Sequence, residues 1–135
     1  VTHPLTLWAQ QDAAQRVRNL LRKAFKEKER VRADLPPGWT PAKGPYMTVV
    51  SDGTPHTEPG YTREVVRVTV HAHDAPTARK LLVAADAALL SPLQVRLYRI
   101  KAGAGLIVIK DSRVGGWVAS ATYTVTLGRK PMEVT

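Results

Sequence analysis

The chain has 135 residues, no cysteine, and 20 Lys and Arg against 11 Asp and Glu, a formal net charge of +9. This length predicts a single domain, residues 1–135, with a core of its own. The missing cysteines exclude a disulfide framework, a thiolate nucleophile and a cysteine zinc site. No apolar run approaches the roughly 20 residues of a membrane-spanning helix, and Val1-Thr2-His3-Pro4 has no basic flank leading into an apolar stretch. Neither a membrane partner nor a secretory signal is therefore expected.

The elements follow in chain order. Leu5, Ala9, Ala13, Val17, Leu20, Leu21, Ala24 and Val31 fall on one stripe at 100° per residue, with Arg18, Arg22 and Lys26 opposite. The pattern predicts one long helix from about residue 6 to residue 31, roughly 39 Å at 1.5 Å per residue, with Thr6 as N-cap. Leu35-Pro36-Pro37-Gly38 must end it. With Pro41, Gly44 and Pro45 it forms an extended, semi-rigid connector.

From Tyr46 the period changes. Tyr46–Val50 reads as a short strand, and Ser51–Gly60, rich in Gly and Pro, as a long hairpin tip. Val66, Val68, Val70 and Ala72 alternate with Arg67, Thr69, His71 and His73, a half-buried strand. Asp74 caps a second helix with Pro76 in its first turn, and Ala78, Leu81, Leu82, Ala85, Ala88 and Leu89 share its apolar face. Gln94–Ile100 and Leu106–Ile109 read as strands around a Gly103-Ala104-Gly105 hairpin turn, and Gly115-Gly116 as another turn. In the last strand Trp117, Ala119, Ala121, Tyr123, Val125 and Leu127 share one face. The expected fold is α+β: a two-layer sandwich in which a long N-terminal helix and a second helix after strand two cover one side of a mixed, mostly antiparallel sheet of four to five strands. A right-handed crossover through the second helix is expected if the strands it joins run parallel.

Candidate chemistry is thin. His71 and His73, at i and i+2 beside Asp74, could ligate a metal, but such sites need three or four ligands and only His56, on the hairpin tip, is within plausible reach. Two polar residues on the open face of a strand account for them as well. Ser51 and Ser112 are turn residues outside any Gly-x-Ser-x-Gly elbow. The G-x-G at Gly103 and Gly105 precedes strand-like residues, where a dinucleotide site needs a helix. No cofactor, metal or catalytic residue is expected, and the chain is read as a non-enzyme. Eight Lys and Arg lie between Arg16 and Arg32. Such a face can meet phosphates or an acidic protein neighbour, and charge alone carries no sequence readout.

The order of a long N-terminal helix, a proline-rich stretch, a short strand, a Gly/Pro-rich arm and Arg63-Glu64-Val65-Val66-Arg67-Val68-Thr69-Val70-His71-Ala72-His73-Asp74 is distinctive. With the alanine-rich helix Ala78–Leu90 and the closing strand Ala121–Leu127 it resembles the tail terminator proteins of long-tailed phages, especially those of actinobacterial hosts. The resemblance covers nearly the whole chain and is a pattern, not a catalytic signature. It implies a virion structural protein, assembled in the host cytoplasm and placed at the head-proximal end of the tail. There a homohexameric ring stops tube polymerisation and docks a head-completion or connector protein. The implied partners are further copies of the chain, the tail tube protein, that head protein and the genomic DNA passing through. Candidate contact residues are Asp52, Gly53, Thr54, Pro55, His56, Thr57 and Glu58 of the arm, and Arg18, Arg22 and Lys26 of the basic helical face. A head-tail connector subunit and a basic nucleic-acid-binding module are the alternatives.

Overall fold

The structure, a computed structural model, describes residues 6–132, with the backbone alone at 97 and 98. Leu5, placed above on the helical stripe, lies outside them, as does the start Val1–Pro4. The fold is the expected mixed α+β architecture, helices packed on a mixed six-stranded sheet. Strands are β1 (Leu7–Ala9), β2 (Val31–Arg32), β3 (Tyr46–Thr57), β4 (Tyr61–Ala72), β5 (Ile100–Ala102), β6 (Ile107–Lys110), β7 (Trp117–Gly128) and β8 (Lys130–Met132). Helices are α1 (Ala13–Ala24), α2 (Ala75–Leu89) and α3 (Pro92–Tyr98). The main sheet runs β2-β3-β4-β7-β5, with β6 also on β7, and β1 pairs β8 in a separate ribbon.

Three antiparallel strands of 12 residues each, β3, β4 and β7, form the frame. Their alternation dictates two unlike faces. Val49, Val66, Val68, Val70, Ala119, Tyr123 and Val125 are buried against α1 and α2. The other face carries Thr69, Ser120, Thr122, Thr124 and Thr126, polar and half-buried. α2 is as read: Asp74 Oδ1 accepts from Thr77 N at 2.7 Å, and Ala78, Leu82, Ala85 and Leu89 are fully buried. Hydrogen bonding with Thr77 holds the Asp74 carboxyl below the usual carboxylate range. Tyr123 donates to Asp86 Oδ1 at 2.6 Å, fastening α2 to β7. Burial, then that bond, push the phenol far above its ordinary pKa. β4 and β5 run in the same direction, but β7 lies between them.

The N-terminal third differs from the 6–31 helix. Asp12, not Thr6, is the cap: its Oδ1 accepts from Gln15 N at 3.0 Å. The helix stops at Ala24, where Phe25 turns extended and packs against the core. A 3₁₀ turn (Lys28–Arg30) leads to β2, whose Val31 pairs in parallel with Met47. Burying Val31 in a strand thus outweighs continuing a highly charged helix. The proline stretch also folds back instead of spanning as a connector. Trp39, 6% exposed, lies edge-on to His71, ring centroids 5.9 Å apart, and donates from Nε1 to the Gly44 carbonyl at 3.0 Å.

Two further corrections concern the edge beyond β7. Gln94–Ile100 is mostly α3, with only Ile100 entering a strand. Pro92 in its first turn and apolar residues on several faces suit a short helix there. Gly103-Ala104-Gly105 is no hairpin turn. β5 and β6 both run antiparallel along β7, and Gly103 N donates to the Thr122 carbonyl at 2.8 Å between them, so the glycines are a bulge within one edge strand. A Cβ on Gly103 would sit 2.7 Å from Thr122 Oγ1, so only glycine fits this approach. Gly115 and Gly116 do make the expected turn, both at positive φ.

Candidate functional site

The Ser51–Gly60 segment is strand for most of its length, not a loose tip. β3 continues to Thr57, with register shifts around Gly53, whose φ of 114° marks a bulge. β4 is flanked by β7 along its entire length, from Tyr61 opposite Gly128 to Ala72 opposite Trp117. The arm is thus one border of the sheet. β2 reaches only Met47 and Thr48, and among the described residues no strand pairs with the outer side of β3 beyond them.

The seven arm residues are held by local bonds. Asp52 Oδ2 accepts from Arg67 Nε at 2.9 Å, and Gly53 N donates to Ser51 Oγ at 3.1 Å. Thr54 Oγ1 accepts from Gln10 Nε2 at 2.5 Å, and Pro55 borders a shallow hollow with Val65. His56 stacks on Tyr61 and faces Glu58 Oε1 at 3.3 Å. Thr57 pairs with Thr62, and Glu58 N donates to the Tyr61 carbonyl at 2.9 Å to close the turn.

Arg18, Arg22 and Lys26 do not make one solvated face. Arg18 Nη1 donates to the Val49 carbonyl at 2.8 Å, and Arg22 Nε to the Val31 carbonyl at 3.0 Å, so both tie α1 to strand backbone. Lys26 lies beyond the helix, on the rim of an apolar hollow of about 170 Å³ between Phe25, Val31, Met47 and Leu81. The arm and these three cations do not converge on a single site.

The histidines separate as well. His73 pairs with Asp74, Nε2 to Oδ2 2.8 Å, in solvent. His71 lies under Trp39, with Nε2 3.3 Å from Thr48 Oγ1 and a buried Nδ1 that has no hydrogen-bond partner among the described residues. Burial pushes its pKa down, and the charge of Asp111 opposes this only in part. Among the described residues no three metal-binding side chains gather.

Three surfaces escape the sequence patterns. The β1–β8 ribbon presents Trp8 at 58% exposure, with Leu7 and Met132 also exposed. Arg129 joins it to the arm, Nε donating to the Glu58 carbonyl at 2.7 Å and Nη1 to the Trp8 carbonyl at 3.2 Å. At the far border of the sheet, Ile107 and Ile109 of β6 stand on the open face opposite Ser120 and Val118, 57% and 55% exposed. The apolar run Leu106–Ile109 reads as a strand but, lacking alternation, does not tell which side chains are exposed, and a three-residue ribbon is too short to show a period. The third surface is a hollow of about 660 Å³ on the open face, bounded by Arg63, Arg99, Lys101, Thr124 and Thr126. Its cations come from segments far apart in sequence, so no local motif announces it.

No protein-family model matches the chain, and no curated protein matches it.

Proposed function

We propose that the chain is a virion structural subunit that closes into a ring with copies of itself, in the role of a phage tail terminator. The observation that carries this reading is the pair of unlike borders at opposite sides of one sheet, neither paired to a further strand among the described residues. One is the outer side of β3 from Val50 to Thr57 beside the Trp8 ribbon, and the other is β6 with Ile107 and Ile109. Open strand edges invite pairing, and exposed apolar groups at such edges favour protein contact. Two different edges meeting head to tail make a heterologous contact, which gives a ring when its rotation closes.

In this role the work is geometric. The ring ends the tail tube, offers its other face to a head-completion or connector protein, and leaves a passage for DNA at the head-proximal end of the tail. The resemblance of the element order to tail terminators supports the choice among ring-forming proteins. Arg18 and Arg22 are already engaged with strand carbonyls, which leaves less of the N-terminal basic face free for DNA phosphates.

Mass measurement and electron microscopy of the purified chain, alone and mixed with tail tubes, test the proposal. Closed rings in solution, or rings formed at one end of the tubes, are expected. A chain that stays monomeric and leaves the tubes undecorated overturns it.

A further inference from the structure

The open face of the sheet is not uniformly neutral. Along β7, Thr124 and Thr126 stand two residues apart on the face away from the helices, about 7 Å at the antiparallel rise. Arg63 of β4 pairs with Thr126 on one side. On the other, Lys101 of β5 pairs with Thr124, and Arg99 is held beside Thr126 by the bond from Thr126 N to its carbonyl at 3.4 Å. The two threonines therefore floor a trough of about 660 Å³ whose walls carry three cations, closed at one side by Val95 of α3.

Among the described residues the charge here has no acidic partner, unlike that of Arg67 on the same sheet. Arg67, four residues further along β4 on the same face, is paired with Asp52. Arg63, Arg99 and Lys101 have no carboxylate partner among the described residues, and no acidic side chain lines the trough. Arg63 instead stacks over Tyr61 at 5.5 Å. Arg99 holds a left-handed backbone, φ 46° and ψ 54°, which is costly for a residue with a side chain.

We propose that this trough binds the phosphodiester backbone of nucleic acid without reading bases. Cationic donors from two walls and hydroxyls from the floor surround a ligand on three sides. That suits a tetrahedral phosphate, with oxygens in several directions, better than a planar carboxylate, which one guanidinium fork satisfies. Among the described residues no aromatic ring lines the trough to stack on a base, and contacts to phosphate alone read no sequence. The site belongs to each copy of the chain and stands whether or not copies form a ring.

The test is binding of a fluorescently labelled, mixed-sequence single-stranded oligonucleotide to the full chain across a salt series. Arg99→Gln with Lys101→Gln removes two wall cations. The control, Lys23→Gln with Lys28→Gln, removes two exposed cations of the N-terminal third. Arg99→Gly is a further variant, because its left-handed backbone suits glycine, and circular dichroism melts confirm that each variant folds. Each trough cation removed should lower the log–log salt slope by about 0.7, with Arg63→Gln acting in the same way. Inorganic phosphate should compete and polyglutamate should compete more weakly than an oligonucleotide of equal charge. Equal losses in the control and trough variants would reduce the effect to net charge and overturn the proposal. Stronger competition by polyglutamate would make this a site for an acidic protein segment and overturn it too, as would no binding by the unaltered chain at low salt.

Discussion

At Arg99 and Gly116 the same backbone region has opposite consequences. Arg99 sits at φ 46° with its side chain exposed, so removing the side chain relieves strain and opens no cavity. Glycine's own entropy cost offsets part of that relief. Arg99→Gly should therefore raise stability by between zero and about 1 kcal/mol in urea unfolding. A loss of about 1 kcal/mol or more would mean that the guanidinium helps hold the fold. Gly116, at φ 79°, has no such latitude: a Cβ there runs into the Ala72 carbonyl and meets Pro41 Cγ at 3.0 Å. Gly116→Ala should cost at least about 2 kcal/mol in the same measurement. His71 supplies a pH dependence. Its folded pKa lies below the ordinary 6.5, because burial under Trp39 disfavours the imidazolium and Asp111 compensates only in part. Below that ordinary value the unfolded chain binds the proton more readily. Stability is then fully present above about pH 6.5 and falls with acidification towards the folded pKa. A melting series from pH 8 to pH 5 should show this decline, and His71→Asn should flatten it. An unchanged slope in the variant would assign the decline to other groups.

At the scale of elements, legibility follows length and periodicity. β4, β7 and α2 each present enough turns or alternations for burial to leave a clear mark, and their inward residues are those the pattern names: Val66, Val68 and Val70, then Ala119 and Tyr123, then Ala78, Leu82 and Ala85. The same logic predicts their energetics. Leu82 is fully buried and Val83 is 46% exposed on the adjacent face. Leu82→Ala should cost about 2–5 kcal/mol, and Val83→Ala no more than about 0.5 kcal/mol, both by denaturant unfolding. Comparable losses would mean that α2 is rotated on the sheet. The misread elements are either short or lie where composition misleads: the 6–31 helical stripe is helix only over Ala13–Ala24, and β3 runs through the Gly/Pro-rich arm to Thr57. Leu5, Ala9 and Ala13 fit a helical stripe, yet Leu7, Trp8 and Ala9 pair with Met132, Pro131 and Lys130, a register that only the distant C-terminal segment decides. Gln94–Ile100 offers too few residues to separate strand from helix. The Gly103–Gly105 bulge has a turn-like composition because a bulge and a turn need the same backbone freedom. Arg63, Arg99 and Lys101 come together only through the order β4-β7-β5, which pattern within one segment does not contain.

For the whole molecule, the decisive feature is that the sheet ends differently on its two sides. A subunit with one sticky edge would pair with itself once and stop, as an isologous dimer. Here β3 offers a bulged, polar edge beside an apolar ribbon, and β6 offers a short edge with two exposed isoleucines. In the proposed assembly identical copies use both edges at once, and the three-strand frame sets the angle between successive copies. Under the proposed head-to-tail contact, ring closure depends on both edges but stability of the single subunit on neither. Ile109→Lys places a charge on the β6 edge at a side chain already 55% exposed, so unfolding free energy should change by no more than about 0.5 kcal/mol. Native mass measurement should nevertheless show loss of the ring. Trp8→Ala, at the opposite border, should have the same effect, since its indole is 58% exposed. Mixing the two variants provides the directional test. Each retains one intact edge, so a head-to-tail contact predicts discrete mixed dimers joined by the intact β6 edge of the Trp8→Ala chain and the intact ribbon edge of the Ile109→Lys chain, with no closed ring. Rings that survive either substitution would show that the copies meet through other surfaces, and failure of the mixture to give heterodimers would show that the two borders are not each other's partners.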